Sequence, residues 1–452
     1  MKRVKKFVAM TAVASLAALM VSCGSKEADI TETVVDGDVT EITFWNSMDT
    51  TYGEILNRQI QNFNDTIGAE KGIHVASVFQ NYPGTESLTA AMSSDDVKNM
   101  PDVIQLYTES ISVVRDYERT VWAEDMLAKD SSFSKDELIG NVKKSFEIEG
   151  RMIGMPYNMA SYLLYYNNDQ LKEAGYDVPP KTVAEMAEML PALADKTTAD
   201  YGLNTEVRMN ELIAFVEQTG AEGTVFGNNN NGHDGYMDKL SCAEDGSLED
   251  FINAWGDIIN SGAYKATKDS INEEFAAEMY SMVIMSSSRL KTVEDLVGDT
   301  FDWQVAPVPT VNDSDAQGSF PTGSGLFILN RDDEKKVEAA WEFAKYMSSA
   351  DVQAQWVEST GYVPVNKAAL ESDTYKNAVA ANPRLQVAYD VLANAPESMT
   401  SPLVPNNPEV DNIIKNAMIT YGEGNADAKA TFTSIVDGIN QIFADYYRAN
   451  EK

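Results

Sequence analysis

Residues 154–168 read Gly-Met-Pro-Tyr-Asn-Met-Ala-Ser-Tyr-Leu-Leu-Tyr-Tyr-Asn-Asn, and the pattern around them decides the fold. This stretch passes through a Pro turn into an apolar, aromatic strand. A helix is predicted at Asp169–Ala174, and it ends at Gly175, which readily takes the left-handed conformation just past a helix. The T-x-x-E spacing that begins at Thr182 forms a capping box and starts a second helix. The residues alone therefore predict a strand–helix–helix unit.

The same stretch, from Pro156 through Tyr165-Tyr166-Asn167 to Pro179-Pro180, resembles the crossover segment of family 1 extracellular solute-binding proteins. These proteins capture ligands for ABC importers. The resemblance implies an α/β, periplasmic-binding-protein-like fold of class II type, with two α/β lobes joined by multiple hinge crossovers. The implied division gives residues 39–157 plus 306–333 to lobe 1 and residues 158–305 plus 334–452 to lobe 2, with a further crossover near Arg331–Lys335.

Further motifs occur in the order of this family along the rest of the chain. They are Phe44-Trp45, Pro101-Asp102-Val103, Val305–Pro309, Gly323-Ser324-Gly325, Ala340–Met347 and Thr360–Val365.

The start of the chain has the pattern of an export signal. A basic start precedes the apolar or small residues Phe7 to Ser22, a run too short for a comfortable membrane span, so residues 1–22 are predicted to be a lipoprotein signal peptide. Leu19–Gly24 resembles a bacterial lipobox in which Cys23 carries the lipid, although Met20 stands where the pattern usually has Leu. The alternative is a plain signal peptide with an incidental Cys. Residues 23–38 are predicted to be a flexible tether, which leaves the protein lipid-anchored on the extracytoplasmic face of the bacterial cell membrane.

Composition argues against several classes of function. The 452 residues include 70 acidic and 35 basic side chains, so the net charge of −35 excludes the basic surface that nucleic acid requires. Two Cys and two His in separate contexts offer no zinc site and no recognisable nucleophile–His pair. Neither a metal nor a cofactor is predicted, and no enzymatic activity. Cys242 is expected to be a buried small hydrophobe.

Two motifs that suggest cofactors are incomplete. The Asn228–Gly235 run lacks the first Asp and the last Glu of a calcium loop, so it predicts a turn. Gly323-Ser324-Gly325 lacks the third Gly and the following helix of a dinucleotide-binding motif.

Strand and helix patterns alternate along the chain, which predicts a mostly parallel sheet with helices on both faces. Ligands of such sheets lie beyond the carboxyl ends of the strands. Aromatic faces together with hydroxyl, amide and carboxylate groups at these positions suit a sugar, which has apolar C–H faces and many hydroxyls. The candidate ligand-binding residues are Trp45, Asn46, Ser47, Tyr82, Thr108, Glu109, Tyr157, Asn158, Ser161, Ser286, Ser287, Ser288, Arg289, Gly323, Ser324 and Tyr362.

Within the family the chain looks most like the glycerol-3-phosphate-binding branch, but two branch residues are not matched. The late Arg that meets the phosphate falls at or near Asp411, and the cleft tyrosine has only Gly84 or Tyr82 in its place. The cleft Glu falls at Thr108, with Glu109 beside it. Loss of the Arg removes a bidentate phosphate partner, so the predicted ligand is a carbohydrate, a sugar or oligosaccharide.

The predicted partners are this carbohydrate and the transmembrane subunits of an ABC permease, with the chain itself a monomer. A glycerol-3-phosphate- or glycerophosphodiester-binding protein remains an alternative, because Arg289 beside the Ser cluster could replace the missing Arg. Two alternatives of another class are a surface-anchored glycan hydrolase and a passive surface adhesin.

Overall fold

The computed structural model describes residues 39–94, 96–267 and 270–450. The predicted signal peptide, the tether and the lipidation site at Cys23 lie outside these residues. The strands of the described residues form two larger sheets and one small sheet.

The described residues form the strands β1 (Thr40–Asn46), β2 (Ile73–Phe79), β3 (Val103–Tyr107), β4 (Thr120–Val121), β5 (Glu147–Ile148), β6 (Arg151–Met152), β7 (Met155–Ala160), β8 (Tyr162–Asn167), β9 (Tyr201–Asn204), β10 (Tyr264–Lys265), β11 (Tyr280–Ser286), β12 (Trp303–Pro307) and β13 (Thr322–Leu329). The first sheet has the strand order β2-β1-β3-β13-β4, with β7 also paired to β13, and the second has the order β10-β9-β11-β8-β12. A small third sheet pairs β5 with β6.

The helices include most of those that the apolar spacing predicts. They are α1 (Thr50–Phe63), α2 (Ala69–Lys71), α3 (Thr85–Ser93), α4 (Ser112–Arg115), α5 (Ala123–Leu127), α6 (Gly140–Ser145), α7 (Asn168–Ala174), α8 (Val183–Lys196), α9 (Met209–Val216), α10 (Asn228–Asn231), α11 (Ser241–Glu244), α12 (Ser247–Asn260), α13 (Ile271–Ala276), α14 (Leu290–Val297), α15 (Glu334–Met347), α16 (Ala350–Thr360), α17 (Asp373–Ala381), α18 (Arg384–Ala393), α19 (Asn407–Gly422) and α20 (Ala428–Ala449).

The α/β fold class is confirmed, but the prediction of a mostly parallel sheet was wrong. Strand β1 pairs parallel with β2 and β3, whereas β13 pairs antiparallel with β3, β4 and β7. The second sheet is mixed in the same way, since β9 pairs parallel with β10 and β11, and β8 pairs antiparallel with β11 and β12. Strands that are distant in sequence can pair in either direction, and local pattern does not reveal which.

The quoted stretch supplies one strand to each of the two larger sheets. Strand β7 belongs to the first sheet and β8 to the second, and every residue of both strands is buried. Between them lies Ser161, whose carbonyl accepts the N–H of Ser287 at 2.7 Å and whose own N–H donates to Ser287 Oγ at 3.2 Å. These bonds satisfy the polar backbone at the buried point where the chain changes sheets.

Residues 308–321 form a second connection between the two sheets, since they link β12 of the second sheet to β13 of the first. Residues 394–406 link α18, which packs against β12, to α19. The latter segment is held by Ser401, whose N–H donates to Ser145 Oγ at 3.1 Å and whose hydroxyl donates to the carbonyl of Pro321.

Helix α15 packs against the first sheet, and the ring centroid of its Phe343 lies 5.3 Å from that of Phe44 on β1. The predicted crossover near Arg331–Lys335 had instead placed this helix in the second lobe. The buried stripe of α15, which includes Trp341 at 3% exposure, covers the first sheet, so the chain does not leave that sheet between β13 and α15.

Close backbone contact explains the glycines of β13. Gly323 has a φ of +129°, and an added Cβ would overlap the carbonyl oxygen of Asn158 and lie 2.9 Å from Cα of Met159. At Gly325 an added Cβ would lie 2.7 Å from the carbonyl oxygen of Met155 and would overlap the ring of Phe146. The Gly-Ser-Gly motif therefore serves the close packing of β13 on β7.

Gly323→Ala is expected to destabilise the protein by about 2–4 kcal/mol, because it combines a strained φ with an overlap against immovable backbone. Chemical denaturation followed by fluorescence measures this loss. Gly422→Ala is the matched control, since Gly422 is helical and an added Cβ there meets nothing within 4 Å. Equal stability of the two variants would contradict the explanation.

Candidate functional site

A cavity with a volume of about 650 Å³ lies beyond the carboxyl ends of β2 and β3. One wall consists of residues that follow these two strands, and the other consists of residues from the starts of α9 and α19 and from α20. The lining residues are Tyr82, Pro83, Thr85, Thr89, Glu109, Ser110, Ser112, Val113, Arg208, Met209, Asn210, Glu211, Asn406, Asn407, Pro408, Asp411 and Tyr446.

Tyr82 and Glu109 are the two predicted site residues on the wall of this cavity. The Tyr82 hydroxyl donates to Glu109 Oε1 at 3.2 Å, and its ring stands edge-on to that of Tyr107 with the centroids 4.8 Å apart. Tyr82 is 63% exposed, because it projects into the open cavity. Tyr82 thus presents an aromatic face to a molecule in the cavity, and Glu109 presents a hydrogen-bond acceptor.

The surroundings of Tyr82 and Glu109 raise the pKa of both side chains. Burial raises the pKa of Glu109, and hydrogen bonds from Tyr82 and Thr108 offset only part of that shift. The negative charge of Glu109, followed by burial, raises the pKa of Tyr82. The described residues place no cationic side chain in an ion pair with Glu109.

Arg208 and Asp411 face the first wall from the other side of the cavity. Asp411 Oδ2 accepts bonds from Arg208 Nε at 2.9 Å and from Arg208 Nη2, and Asp411 Oδ1 accepts the N–H of Met209 at 3.1 Å. The hydrogen bond to Asp411 raises the pKa of Arg208, so the guanidinium stays charged. Its Nη1 lies 3.6 Å from Glu206 Oε1.

Glu211 adds a third carboxylate to the wall of the cavity. It is 6% exposed, and its Oε1 accepts the hydroxyl of Tyr162 at 3.1 Å while its Oε2 accepts the N–H of Arg208 at 3.1 Å. Among the described residues, the wall therefore has the carboxylates of Glu109, Glu211 and Asp411 against the single cation of Arg208. This balance favours hydrogen-bond donors over anions as ligands.

A second, smaller cavity of about 190 Å³ is lined by Glu211 on its other side. Tyr162 and Arg289 also line it, as do Ser286 and Ser288 from the predicted Ser cluster. Arg289 is exposed, and it does not line the larger cavity. The predicted Ser cluster is thus divided, since Ser287 is fully buried at the crossover with Ser161.

Other predicted site residues form a buried hydrogen-bond network beneath the cavity. Gln105 Nε2 donates to Asn158 Oδ1 at 3.1 Å and lies 2.7 Å from Ser324 Oγ, and the Ser324 hydroxyl donates to Asn158 Oδ1. Gln105 Oε1 accepts the N–H of Ser47 at 3.2 Å. Asn158 and Ser324 are fully buried, so in this structure they join β3, β7 and β13 and do not face either cavity.

The remaining predicted residues also lie outside both cavities. Tyr157 is buried, and its hydroxyl donates to Gln59 Oε1 at 2.7 Å. Tyr362 is 8% exposed and packs against Trp356, and burial raises its pKa to about 12. The Thr108 hydroxyl donates to Glu109 Oε2 at 3.4 Å, and the Ser161 hydroxyl donates to the carbonyl of Ala388 at 2.9 Å. Trp45 packs against the core, Asn46 Oδ1 accepts the N–H of Met48, and Gly323 contacts the backbone of β7.

Sequence reasoning missed the wall formed by Arg208, Glu211 and Tyr446, and it considered Asp411 only as a replacement for an Arg. These residues lie at helix ends far along the chain, where the rule about strand ends gives no signal. One local signal was available: Glu211 stands three residues after Arg208 and accepts its N–H, as in half of a capping box.

The motifs that suggested cofactors have structural explanations. His233 is 3% exposed, with its ring nitrogens 2.6 Å and 2.9 Å from the carbonyl oxygens of Glu147 and Ser401. The predicted turn at Asn228–Gly235 is short and contains residues with positive φ. Cys242 is buried, as predicted.

Across the described ranges, no group of three His, Cys, Asp or Glu residues could hold a metal ion. No helix in these ranges is both long and apolar enough to cross a membrane.

The chain matches a family model and is similar to several known proteins. Residues 59–383 match the model for bacterial extracellular solute-binding proteins. A relative from Agrobacterium fabrum, the sn-glycerol-3-phosphate-binding periplasmic protein UgpB, is 25% identical over 412 residues, which cover 88% of this chain and 91% of that protein.

Two solved structures share the fold, each with a TM-score of 0.73 over 90% of this chain and 99% of the other. They are the GacH receptor of Streptomyces glaucescens, at 18% identity, whose structures include a complex with acarbose, and UgpB from Mycobacterium tuberculosis in complex with glycerophosphocholine, at 22% identity.

Glu109→Gln is expected to raise the melting temperature at neutral pH by about 1–2 °C. The folded state binds the Glu109 proton more tightly than the unfolded state does, so the ionised carboxylate costs stability above its folded pKa. Below the ordinary Glu pKa of about 4.3 both states are protonated, and the difference between variant and wild type should vanish. Thermal unfolding between pH 4 and pH 8 measures both effects.

Glu173→Gln is the control for this experiment, since Glu173 is an exposed residue of α7 and the substitution makes the same change in net charge. A Glu109→Gln variant less stable than this control at neutral pH would show that the carboxylate is a structural group.

Proposed function

Because this chain belongs to the family of bacterial extracellular solute-binding proteins, we propose that it is the solute-binding component of an ABC importer and that it captures a sugar or oligosaccharide in the 650 Å³ cavity. The observation that carries the choice of ligand is the chemistry of the cavity wall. Carboxylate, amide and hydroxyl groups accept and donate hydrogen bonds there around an exposed tyrosine ring.

This wall suits a molecule that is rich in hydroxyl groups. Glu109, Glu211 and Asp411 are acceptors for hydroxyl donors, and Asn210 and Asn406 can both donate and accept. Tyr82 offers an aromatic face to the C–H side of a sugar ring. The volume lies within the range of small-molecule sites, and the adjoining 190 Å³ cavity beyond Glu211 gives room for a second ring.

The two sheets support a proposal of two lobes that close on the solute. The first lobe would contain the first sheet with α15, and the second would contain the second sheet with α9, α19 and α20. The connections at Ser161 and at residues 308–321 would form the hinge. Closure would bring Tyr82 and Glu109 toward Arg208 and Asp411, and it would exclude water from their contacts with the ligand.

A glycerol-3-phosphate or glycerophosphodiester ligand is the second candidate, and the names of the relatives favour it. The Agrobacterium fabrum protein binds sn-glycerol-3-phosphate, and the Mycobacterium tuberculosis structure contains glycerophosphocholine. The charges on the cavity wall favour the carbohydrate. The wall has three carboxylates and one guanidinium, and that guanidinium is already paired with Asp411.

The remaining parts of the proposal concern export and delivery. The lipobox-like sequence at Cys23 supports a lipid anchor on the extracytoplasmic face of the membrane. The protein would act as a monomer that passes its solute to the transmembrane subunits of the permease. The family and the relatives are binding proteins, so no turnover of the solute is proposed. Release of products from a glycan by the purified protein would favour the hydrolase alternative.

Thermal unfolding against maltose, maltotriose, polyols and glycerol phosphates is expected to show a rise in melting temperature with a sugar. A ligand that binds only the folded state adds about 2.7 kcal/mol at a hundred times its dissociation constant. Tyr82→Ala should weaken binding of that sugar by about fivefold or more, since a stacked aromatic contact is worth about 1 kcal/mol or more. Titration calorimetry measures the affinity.

Tyr82→Phe is the matched variant, because it keeps the ring and loses only the hydroxyl that donates to Glu109. It should retain more of the affinity than Tyr82→Ala. Since Tyr82 is largely exposed, neither variant should lower the melting temperature without ligand by more than the control Val178→Ala, which replaces another exposed residue. A response to glycerol phosphates alone would refute the carbohydrate ligand.

A further inference from the structure

We propose that Asp411 determines the charge selectivity of the cavity: it occupies the one guanidinium on the wall and so prevents an anionic solute from binding there. This inference rests on the proposed function, since it takes the 650 Å³ cavity as the ligand site. It adds that a single carboxylate keeps phosphate-bearing solutes out of a cavity that otherwise has an arginine available for them.

The geometry of the pair supports this role. Asp411 Oδ2 accepts bonds from both Nε and Nη2 of Arg208, which are the N–H groups on one edge of the guanidinium. A phosphate oxygen pair would require such an edge for bidentate binding. Glu206 lies 3.6 Å from the remaining Nη1, so a second carboxylate stands near the other side of the group.

The ion pair lies where it can affect which ligands bind in the cavity. Arg208 and Asp411 both line the cavity, with side chains 27% and 19% exposed, so the pair is partly desolvated and open to solute on one side. Arg208 is the one cationic residue on the described wall, and Glu109 and Glu211 share that wall. An anion entering the cavity would therefore meet carboxylates and a guanidinium that is already neutralised.

Asp411 also has a structural contact, which the test must separate from selectivity. Its Oδ1 accepts the N–H of Met209, the first residue of α9. A purely structural Asp411 would change stability when replaced, whereas a selectivity residue would also change which solutes bind. Asp411→Asn keeps the shape of the side chain and one oxygen for the Met209 N–H. Asp411→Ala is a second variant that leaves the edge of Arg208 fully open.

The test is titration calorimetry of the purified protein with glycerol 3-phosphate, inorganic phosphate and uncharged glycerol. We expect the wild type to show no measurable binding of either phosphate, and at least one of the two Asp411 variants to bind glycerol 3-phosphate at least ten times more tightly than the wild type. Glycerol should show no such gain. The double variant Arg208→Gln/Asp411→Asn should lose the gain, because the guanidinium is then absent.

Asp125→Asn is the matched control, since Asp125 pairs with Arg151 at 2.8 Å away from the cavity and the substitution frees an arginine there. It should not gain phosphate binding. Tight binding of glycerol 3-phosphate by the wild type would overturn the inference, as would an absence of gain in both Asp411 variants while they melt cooperatively like the control.

The two proposals fail in different ways. If no sugar changes the melting temperature of the wild type and Asp411→Asn still gains glycerol 3-phosphate, the carbohydrate ligand is wrong and the role of Asp411 stands. If a sugar binds and neither Asp411 variant gains phosphate, the proposed function stands and Asp411 is a structural residue.

Discussion

The crossover at Ser161 is the constraint on which the rest of the structure depends. Thirteen consecutive residues, 155–167, supply a fully buried strand to each of two sheets, and the chain changes sheets at one serine between them. A buried backbone cannot leave its N–H and carbonyl groups without partners, so Ser287 bonds both of these groups of Ser161. On either side of this serine, β7 is held by β13, and β8 is held by β11 and β12.

This arrangement also determines where the polar groups of the site can lie. Strands β2 and β3 end at one edge of the first sheet, which places Tyr82 and Glu109 there. The second wall comes from helix ends that pack with the second sheet, where Arg208, Glu211 and Asp411 lie. Burial raises the pKa of Glu109, so the folded protein holds this carboxylate at a cost in stability. A carboxylate with a raised pKa is typical of a binding site, because a bound ligand can donate the hydrogen bonds that the protein does not provide.

Local sequence pattern was enough to predict most of the helices and strands, and it also identified Tyr82 and Glu109 on one wall of the cavity. The end of α7 at Gly175 and the start of α8 after Thr182 were predicted correctly, because these signals act over a few residues. The antiparallel pairing of β13 with β3 was not predicted, since it joins residues more than two hundred positions apart. The same distance hides the pair of Arg208 and Asp411. Asn158 and Ser324 were selected for their polar chemistry, yet they are fully buried and hydrogen-bond to each other, and residue type alone does not reveal this difference.

The central claim is that the two sheets belong to lobes that close around a solute in the cavity between Tyr82 and Asp411. Small-angle X-ray scattering tests this most directly, with the purified protein measured alone and with a saturating amount of the sugar that raises its melting temperature most. Closure of the lobes should give a smaller radius of gyration with this sugar and no change with a sugar that does not bind. An unchanged radius of gyration under conditions where calorimetry shows the cavity to be occupied would contradict it.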